Sequence, residues 1–317
     1  MKYVSLILSL AVLIIAPFLG EIAVNIQEIF NPASASSMLF WEIRFPRVII
    51  AFCSGAILAL AGLVFQSVFR NPLTTPFTLG VASGATLGSA LAIVFFGGIL
   101  FWQYLLSFFG ALLTVAVLFL LSRSLKSAQT GSLLLVGIAL SFFYSAALMV
   151  LYYLSDFEQS YSIVRFTMGS LNIIGFETVY PILIASLLFL ASIHLQRKPL
   201  RLLLTSLDFA FLKGVHVSRL IMSLLLLTSL AVAVCVSVVG PIGFVGLIVP
   251  HIIKLLYRRS SDTLILPTFF YGGIFLVACD LVARNLGAAS DIPIGVVTSF
   301  LGGPFFIYLI VQRNKGK

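Results

Sequence analysis

The sequence predicts an all-α polytopic membrane protein of ten transmembrane helices, and three observations carry that reading. Hydrophobic residues fill 61% of the 317 positions and charged ones 9%, with a mean hydropathy of +1.16, whereas soluble domains carry roughly a quarter charged residues. The apolar residues gather into ten runs, most of them near the roughly 17–25 residues that a spanning helix needs. Lysine and arginine alternate in density between the runs, as the positive-inside rule requires.

Taken in order, the runs are 4–24, 48–68, 78–96, 103–122, 132–153, 179–195, 220–240, 243–257, 264–286 and 294–312, in one transmembrane domain covering residues 1–317. The long connections are 25–47, 154–178 and 196–219. Of the 19 basic residues only Arg44, Arg47, Arg165 and Arg284 fall on one side; the remainder, with Asp208 and Asp262, fall on the other. The richly basic side is therefore cytoplasmic, with both termini there. The net charge of +9 is scattered between apolar runs, so it reads as topology and excludes a nucleic-acid patch. Cys53, Cys235 and Cys279 lie inside apolar runs without metal or redox spacing, and read as packing.

The first run has a second reading. Lys2, the apolar stretch to Phe18 and Ala33-Ser34-Ala35 resemble a cleavable signal peptide, but the run is long for a signal and the triplet lies far beyond it, so a retained helix is expected. Arg44-Phe-Pro-Arg47 follows at the outer mouth of the second run. Two roles stand open for these arginines: interfacial anchoring, or pairing with carboxylates of a soluble partner.

The second run ends at Phe69-Arg70-Asn71-Pro72, where Asn71 suits an N-cap and Pro72 a first helical residue, marking a stop and restart. Gly80, Gly84 and Gly88 recur every four residues in the third run, a spacing that lets helices approach closely. The connection 196–219 holds an amphipathic stretch, 202–215, interrupted at Gly214. It is too short to span, and suits the membrane surface or the groove of a cytoplasmic partner.

The apolar stretch Gly240 to His251, Gly-Pro-Ile-Gly-Phe-Val-Gly-Leu-Ile-Val-Pro-His, has too much glycine and proline for one uninterrupted helix. A reversal is expected at Gly240–Gly243, followed by a short returning helix in which Pro250 frees the carbonyl of Gly246 and His251 bonds freed backbone. Broken backbone at membrane depth needs protein or water to satisfy it. Asp280 and Arg284 lie four apart on one helix face, the cheapest compensation for charge in a membrane segment. The sharper alternative, Asp280 as the coupling acid of a proton- or sodium-driven transporter, lacks the further buried acids or histidines a relay would use. No phosphate-binding loop, H-E-x-x-H or G-x-S-x-G is present, so a nucleotide would have to be bound by another chain.

Arg44-Phe-Pro-Arg47, Gly55 to Gly62 with Gln66, Arg70-Asn-Pro-Leu73 with Pro76 and Gly80, Gly137-Ile-Ala-Leu140, the Gly240–His251 stretch, Asp280-Leu-Val-Ala-Arg284, Pro293-Ile-Gly295 and Gly303-Pro-Phe305 together resemble the permease subunits of ABC importers for ferric siderophores, haem and vitamin B12. The resemblance covers nearly the whole chain. It implies a bacterial inner-membrane protein, without a cofactor, working as a homodimer or a heterodimer with a similar permease. It further implies ten helices per subunit with short cytoplasmic coupling helices, two ATPase subunits, and a periplasmic substrate-binding protein docked on Arg44, Arg47 and Arg284. By the same resemblance Ser206, Leu207, Asp208, Ala210 and Gly214 belong to the ATPase coupling stretch, although Ser206-Leu207 stands where the family has Gly-Glu. Gln129, Thr130 and Gly131 fall at the family's inner gate. Asn71, Pro72, Gly240, Gly243, Gly246, Pro250, His251 and Asp280 keep structural roles. The substrate expected from the resemblance is a ferric siderophore, with haem or cobalamin as the near alternative.

Overall fold

The structure is a computed structural model that describes residues 2–20, 22, 24–124, 130–205, 207–257, 263–286 and 292–315, with side-chain surroundings omitted at several segment ends. Its helices are α1 (Lys2–Ile15), α2 (Ala35–Met38), a π-helical turn (Leu39–Arg44) running into α3 (Phe45–Val68), α4 (Val81–Phe96), α5 (Leu100–Ser124), α6 (Thr130–Leu154) and α7 (Phe157–Thr167). These are followed by α8 (Val179–Leu195), α9 (Arg197–Thr205), α10 (Leu207–Leu212), α11 (Val217–Val239), α12 (Val245–Tyr257), α13 (Ile265–Leu286) and α14 (Ile294–Lys315). The ten apolar runs become α1, α3, α4, α5, α6, α8, α11, α12, α13 and α14 in order.

Among the described residues, five segments are long and apolar enough to cross a membrane by themselves, and α8 forms a further candidate with α9 across a 58° bend. The 13 residues of α12 reach only about 20 Å at about 1.5 Å per residue, as expected of a broken span.

The bundle is organised around α3, whose surroundings are α13, α12, α8 and α11. Its segment is 89% buried over its most apolar window, against 22% for α5 and 17% for α6. Lipid tails are as apolar as leucine, so close van der Waals packing must hold such helices together, and small residues permit it. A methyl group added at Gly55 would overlap the Gly272 carbonyl of α13, and one at Gly62 would overlap the Gly246 carbonyl of α12. Gly84 meets Gly110, and Gly88 meets Leu106, between α4 and α5.

Gly80 departs from the expected helical spacing: it is the left-handed N-cap of α4, at φ +78°. Asn71 and Pro72 do not start a helix. Asn71 Oδ1 instead accepts from Leu73 N at 3.0 Å, and the Asn71 carbonyl accepts from Thr74 Oγ1 at 2.8 Å. Asparagine offers its own backbone a turn as readily as a cap, and here the turn prevails until α4 begins at Val81.

Candidate functional site

Three polar features interrupt the apolar bundle. The first lies at the end that carries α7. Asp280, fully buried on α13, has Arg47 Nε at 2.9 Å and Arg47 Nη2 at 2.8 Å from Oδ1, and Arg284 Nε at 3.0 Å from Oδ2. The Arg284 pair is an ion pair whose N–H direction misses hydrogen-bond geometry. Arg47 Nη1 donates to Asn172 Oδ1 at 2.6 Å.

Arg44, delivered by the π-helical turn, donates to the Phe18 carbonyl at 3.1 Å and to the Ile22 carbonyl, while Arg284 Nη1 and Nη2 lie 3.4 Å from the Leu19 and Ala16 carbonyls. The carbonyls at and just beyond the end of α1 are thus held by two guanidinium groups, which suits the negative end of a helix. All three arginines are only 5–6% exposed.

The second feature is the α11–α12 break. Gly240 caps α11 at φ +72°, and Phe244, a non-glycine residue, takes φ +65° before α12 starts. Gly243 has nothing within 4 Å of an added Cβ, so Gly240 is the glycine that the turn requires. Pro250 lacks an amide hydrogen, and the carbonyl of Gly246 that it leaves free accepts from Gln66 Nε2 on α3 at 3.0 Å. Lys254 Nζ in turn donates to Gln66 Oε1 at 3.0 Å, which fixes the amide orientation.

The expectation for His251 is corrected: its ring packs edge-on against Phe305, centroids 6.0 Å apart. The freed carbonyl faces α3, where Gln66 stands, and the histidine lies one helical step round. A lone amide in an otherwise apolar helix was the available sequence signal for Gln66. Replacing Gln66 with leucine should cost about 1–3 kcal/mol, the range for orphaning a buried polar group, read as a lowered unfolding midpoint in detergent; an unchanged midpoint would show that the freed carbonyl finds another partner.

The third feature is α9–α10 at the opposite end. Leu200, Leu203 and Ala210 are buried, while Phe211 and Leu212 are 72% and 79% exposed. Arg70 Nη2 donates to the Leu203 carbonyl at 2.9 Å, Ser223 Oγ donates to Gln196 Oε1 at 2.9 Å, and Val215 N donates to the Ala210 carbonyl at 3.0 Å. Gly214 takes φ +78° and ends the unit. Ala210 is therefore an anchor of α10 against the bundle, and its two neighbours form the outward tip. Ser206 and Gln129 lie outside the described residues, while Thr130, Gly131, Leu207 and Asp208 are placed only as backbone at the starts of α6 and α10.

Comparison with known proteins gives these features a frame. Residues 7–312 match the profile of the FecCD transport family. The chain belongs to this family. Among curated relatives, this FecCD permease is 34% identical over 307 residues to the hemin transport system permease HmuU of Yersinia pestis, covering 94% of this chain and 91% of that one. It is 34% identical over 299 residues to an iron chelatin transport system permease of Helicobacter pylori (93% and 90% covered). It is also 34% identical over 287 residues to the vitamin B12 import permease BtuC of Klebsiella pneumoniae (90% and 86% covered). A solved metal-chelate type ABC transporter in an inward-facing conformation superposes with a TM-score of 0.87 at 32% identity, covering 96% of this chain and 97% of that one. The FecCD permease is accordingly a polytopic membrane subunit of ABC transport systems, with the fold of that transporter.

Proposed function

We propose that this FecCD permease moves a ferric siderophore from a soluble binding protein to the cytoplasm of a bacterium, by alternating access driven by two separate ATPase subunits. Two permeases, identical or similar, flank the pathway. The observation that carries the reading is the α10 tip: Phe211 and Leu212 stand side by side in the open, above a buried Ala210. Two adjacent exposed apolar side chains at a helix tip suit a covering partner, and a helix presented to a groove is a familiar mode of docking. The α9–α10 end is the cytoplasmic one, as the basic residues imply, and the α7 end faces the binding protein, which docks over the buried cluster of Arg44, Arg47 and Arg284. Gln129, Thr130 and Gly131 stand at the inner gate.

The choice of siderophore rests on the hemin, iron chelatin and vitamin B12 permeases among the relatives, all named for large chelates; a molybdate import permease of Haemophilus influenzae, 34% identical over 303 residues, is a relative too. A hollow with about 560 Å³ of accessible space lies between Phe77, Thr167, Met168, Pro241, Gly295 and Phe300. It has an uncharged, largely apolar wall, suited to release of a large cargo more than to its capture. Alternating access then requires contacts that differ between two states.

Reconstitution with the system's ATPase and its soluble binding protein, followed by uptake of labelled ferric siderophores, hemin, cobalamin and molybdate, tests the proposal. ATP-dependent siderophore uptake is expected, and uptake of one of the others alone would reassign the substrate. Uptake driven by an ion gradient without nucleotide would overturn the importer reading. Phe211→Asp should leave the permease folded, because the side chain is exposed, yet weaken ATPase copurification and stimulated hydrolysis about tenfold by placing a charge in an apolar contact. Wild-type coupling in that variant would remove α10 from the interface.

A further inference from the structure

Among the described residues two non-glycine positions take left-handed backbone, Arg70 at φ +49° and Phe244 at φ +65°. Phe244 belongs to the α11–α12 break. Arg70 closes α3, one residue beyond the Phe69 cap, where glycine is the usual choice. A Cβ in that conformation crowds the following carbonyl, and such strain persists only where the surroundings over-determine it. Here they do: Phe69 N still donates to the Phe65 carbonyl at 2.9 Å, and Asn71 at once opens the turn that leads into buried Thr74 and Thr75.

The side chain carried by this backbone reaches α9. Arg70 Nη2 donates to the Leu203 carbonyl at 2.9 Å, one of the last four carbonyls of that helix, which an isolated helix leaves without partners. No basic residue stands in the last turn of α9 itself, so the cation that suits its negative end comes from α3. At the other end of α9, Ser223 Oγ of α11 donates to Gln196 Oε1 at 2.9 Å, at the 58° bend from α8. The two holding points are seven residues apart, about 10 Å at about 1.5 Å per residue. A push on the exposed tip of α10, which packs on α9, therefore works on a short lever pinned at Gln196 and loaded at Arg70.

One helical turn back from Arg70, α3 carries Gln66, whose amide holds the Gly246 carbonyl of α12 and is itself held by Lys254. Phe244 lies two residues before that carbonyl, and its ring packs on Gly302 of α14. The two left-handed residues thus stand at the ends of one series of contacts: α9 to α3 through Arg70, α3 to α12 through Gln66, and the α11–α12 break to α14 through Phe244.

We infer that Arg70 is a positioning residue for energy coupling, which passes displacement of the α9–α10 unit to α3 and so to the α11–α12 break. The inference rests on the importer reading above. It separates two steps: the α10 tip is needed for the ATPase to bind, and Arg70 is needed after it has bound.

The test uses the permease–ATPase complex in liposomes, with the binding protein of the same transport system and labelled ferric siderophore, hemin, cobalamin or molybdate, whichever the wild type takes up. Arg70→Gly removes the guanidinium and the strain together, so the unfolding midpoint should hold or rise and the ATPase should copurify as with wild type. Substrate transported per ATP hydrolysed should nevertheless fall about tenfold, within the range by which residues away from both sites change coupling. Arg70→Asn, which also tolerates left-handed backbone but is too short to reach α9, should behave alike. A wild-type ratio in either variant would overturn the inference and leave the importer reading standing. A fall in transport matched by an equal fall in midpoint or in ATPase copurification would overturn it too, because Arg70 would then only cap α9. If the wild-type complex takes up none of the four substrates with ATP, the importer reading itself fails.

Discussion

Asp280→Asn is expected to lower the stability of the permease by about 3–5 kcal/mol, the cost of removing one partner from a buried ion pair. Asp280 is fully buried and touches two guanidinium groups that are themselves 5–6% exposed. Asparagine preserves shape and hydrogen bonding but withdraws the charge from between Arg47 and Arg284. The loss should appear as a lowered unfolding midpoint and a reduced monodisperse yield in detergent. Arg284 also holds carbonyls beyond α1, so the N-terminal segment should become more susceptible to proteolysis. Replacing Arg47, Asp280 and Arg284 together by apolar residues of similar volume should recover part of the stability, because the desolvation cost disappears along with the pair. Stability unchanged in Asp280→Asn, combined with loss of an ion dependence present in the wild type, would mark Asp280 as a coupling acid.

Gly62→Ala should be nearly as damaging. A methyl group there overlaps the Gly246 carbonyl, and the obstacle is backbone on both helices, so no rotamer can yield. Overpacking of side chains costs about 1–3 kcal/mol. Here α3 and α12 must separate, and the Gln66–Gly246 hydrogen bond of 3.0 Å goes with them, so about 3 kcal/mol or more is expected. Gly243→Ala is the internal control: nothing lies within 4 Å of an added Cβ there. Unfolding midpoints of the two variants should differ by well over 5 °C, and equal midpoints would refute the backbone contact.

The apolar runs and the glycine-proline break were legible in the sequence because both follow from local composition: a run of sufficient length makes a helix, and Pro250 cannot donate wherever the chain goes. Burial of Arg44 was not legible. It depends on carbonyls at Phe18 and Ile22, and backbone acceptors leave no mark in composition. The same holds for Ala210, whose inward direction is set by the turn at Gly214 and by α9 packing, while an amphipathic pattern only says that one face is covered. Asn71 shows a third limit, since the same side-chain oxygen serves cap or turn and only the following backbone decides. Gln66 was visible as an amide among apolar residues, but its partner, four residues before Pro250 on another helix, required the fold.

The end of α7 is joined to the α11–α12 break and to the start of α14 by main-chain hydrogen bonds. Ser170 N donates to the Val239 carbonyl at 2.8 Å and Gly295 N to the Met168 carbonyl at 3.0 Å, while Gly240 and Gly169 leave no Cβ between the strands of backbone. Main-chain contacts of this kind contain no rotatable side-chain bond to absorb a displacement. The seam thus acts as a stiff plate: a tilt entering at α12 or α14 should carry α7 with it, and α7 in turn holds α6 and α4 through the buried packing of Leu151, Ala90 and Ile93 on Ile163. Spin labels on α7 and α12 moving as one body through the transport cycle would be its mechanical signature.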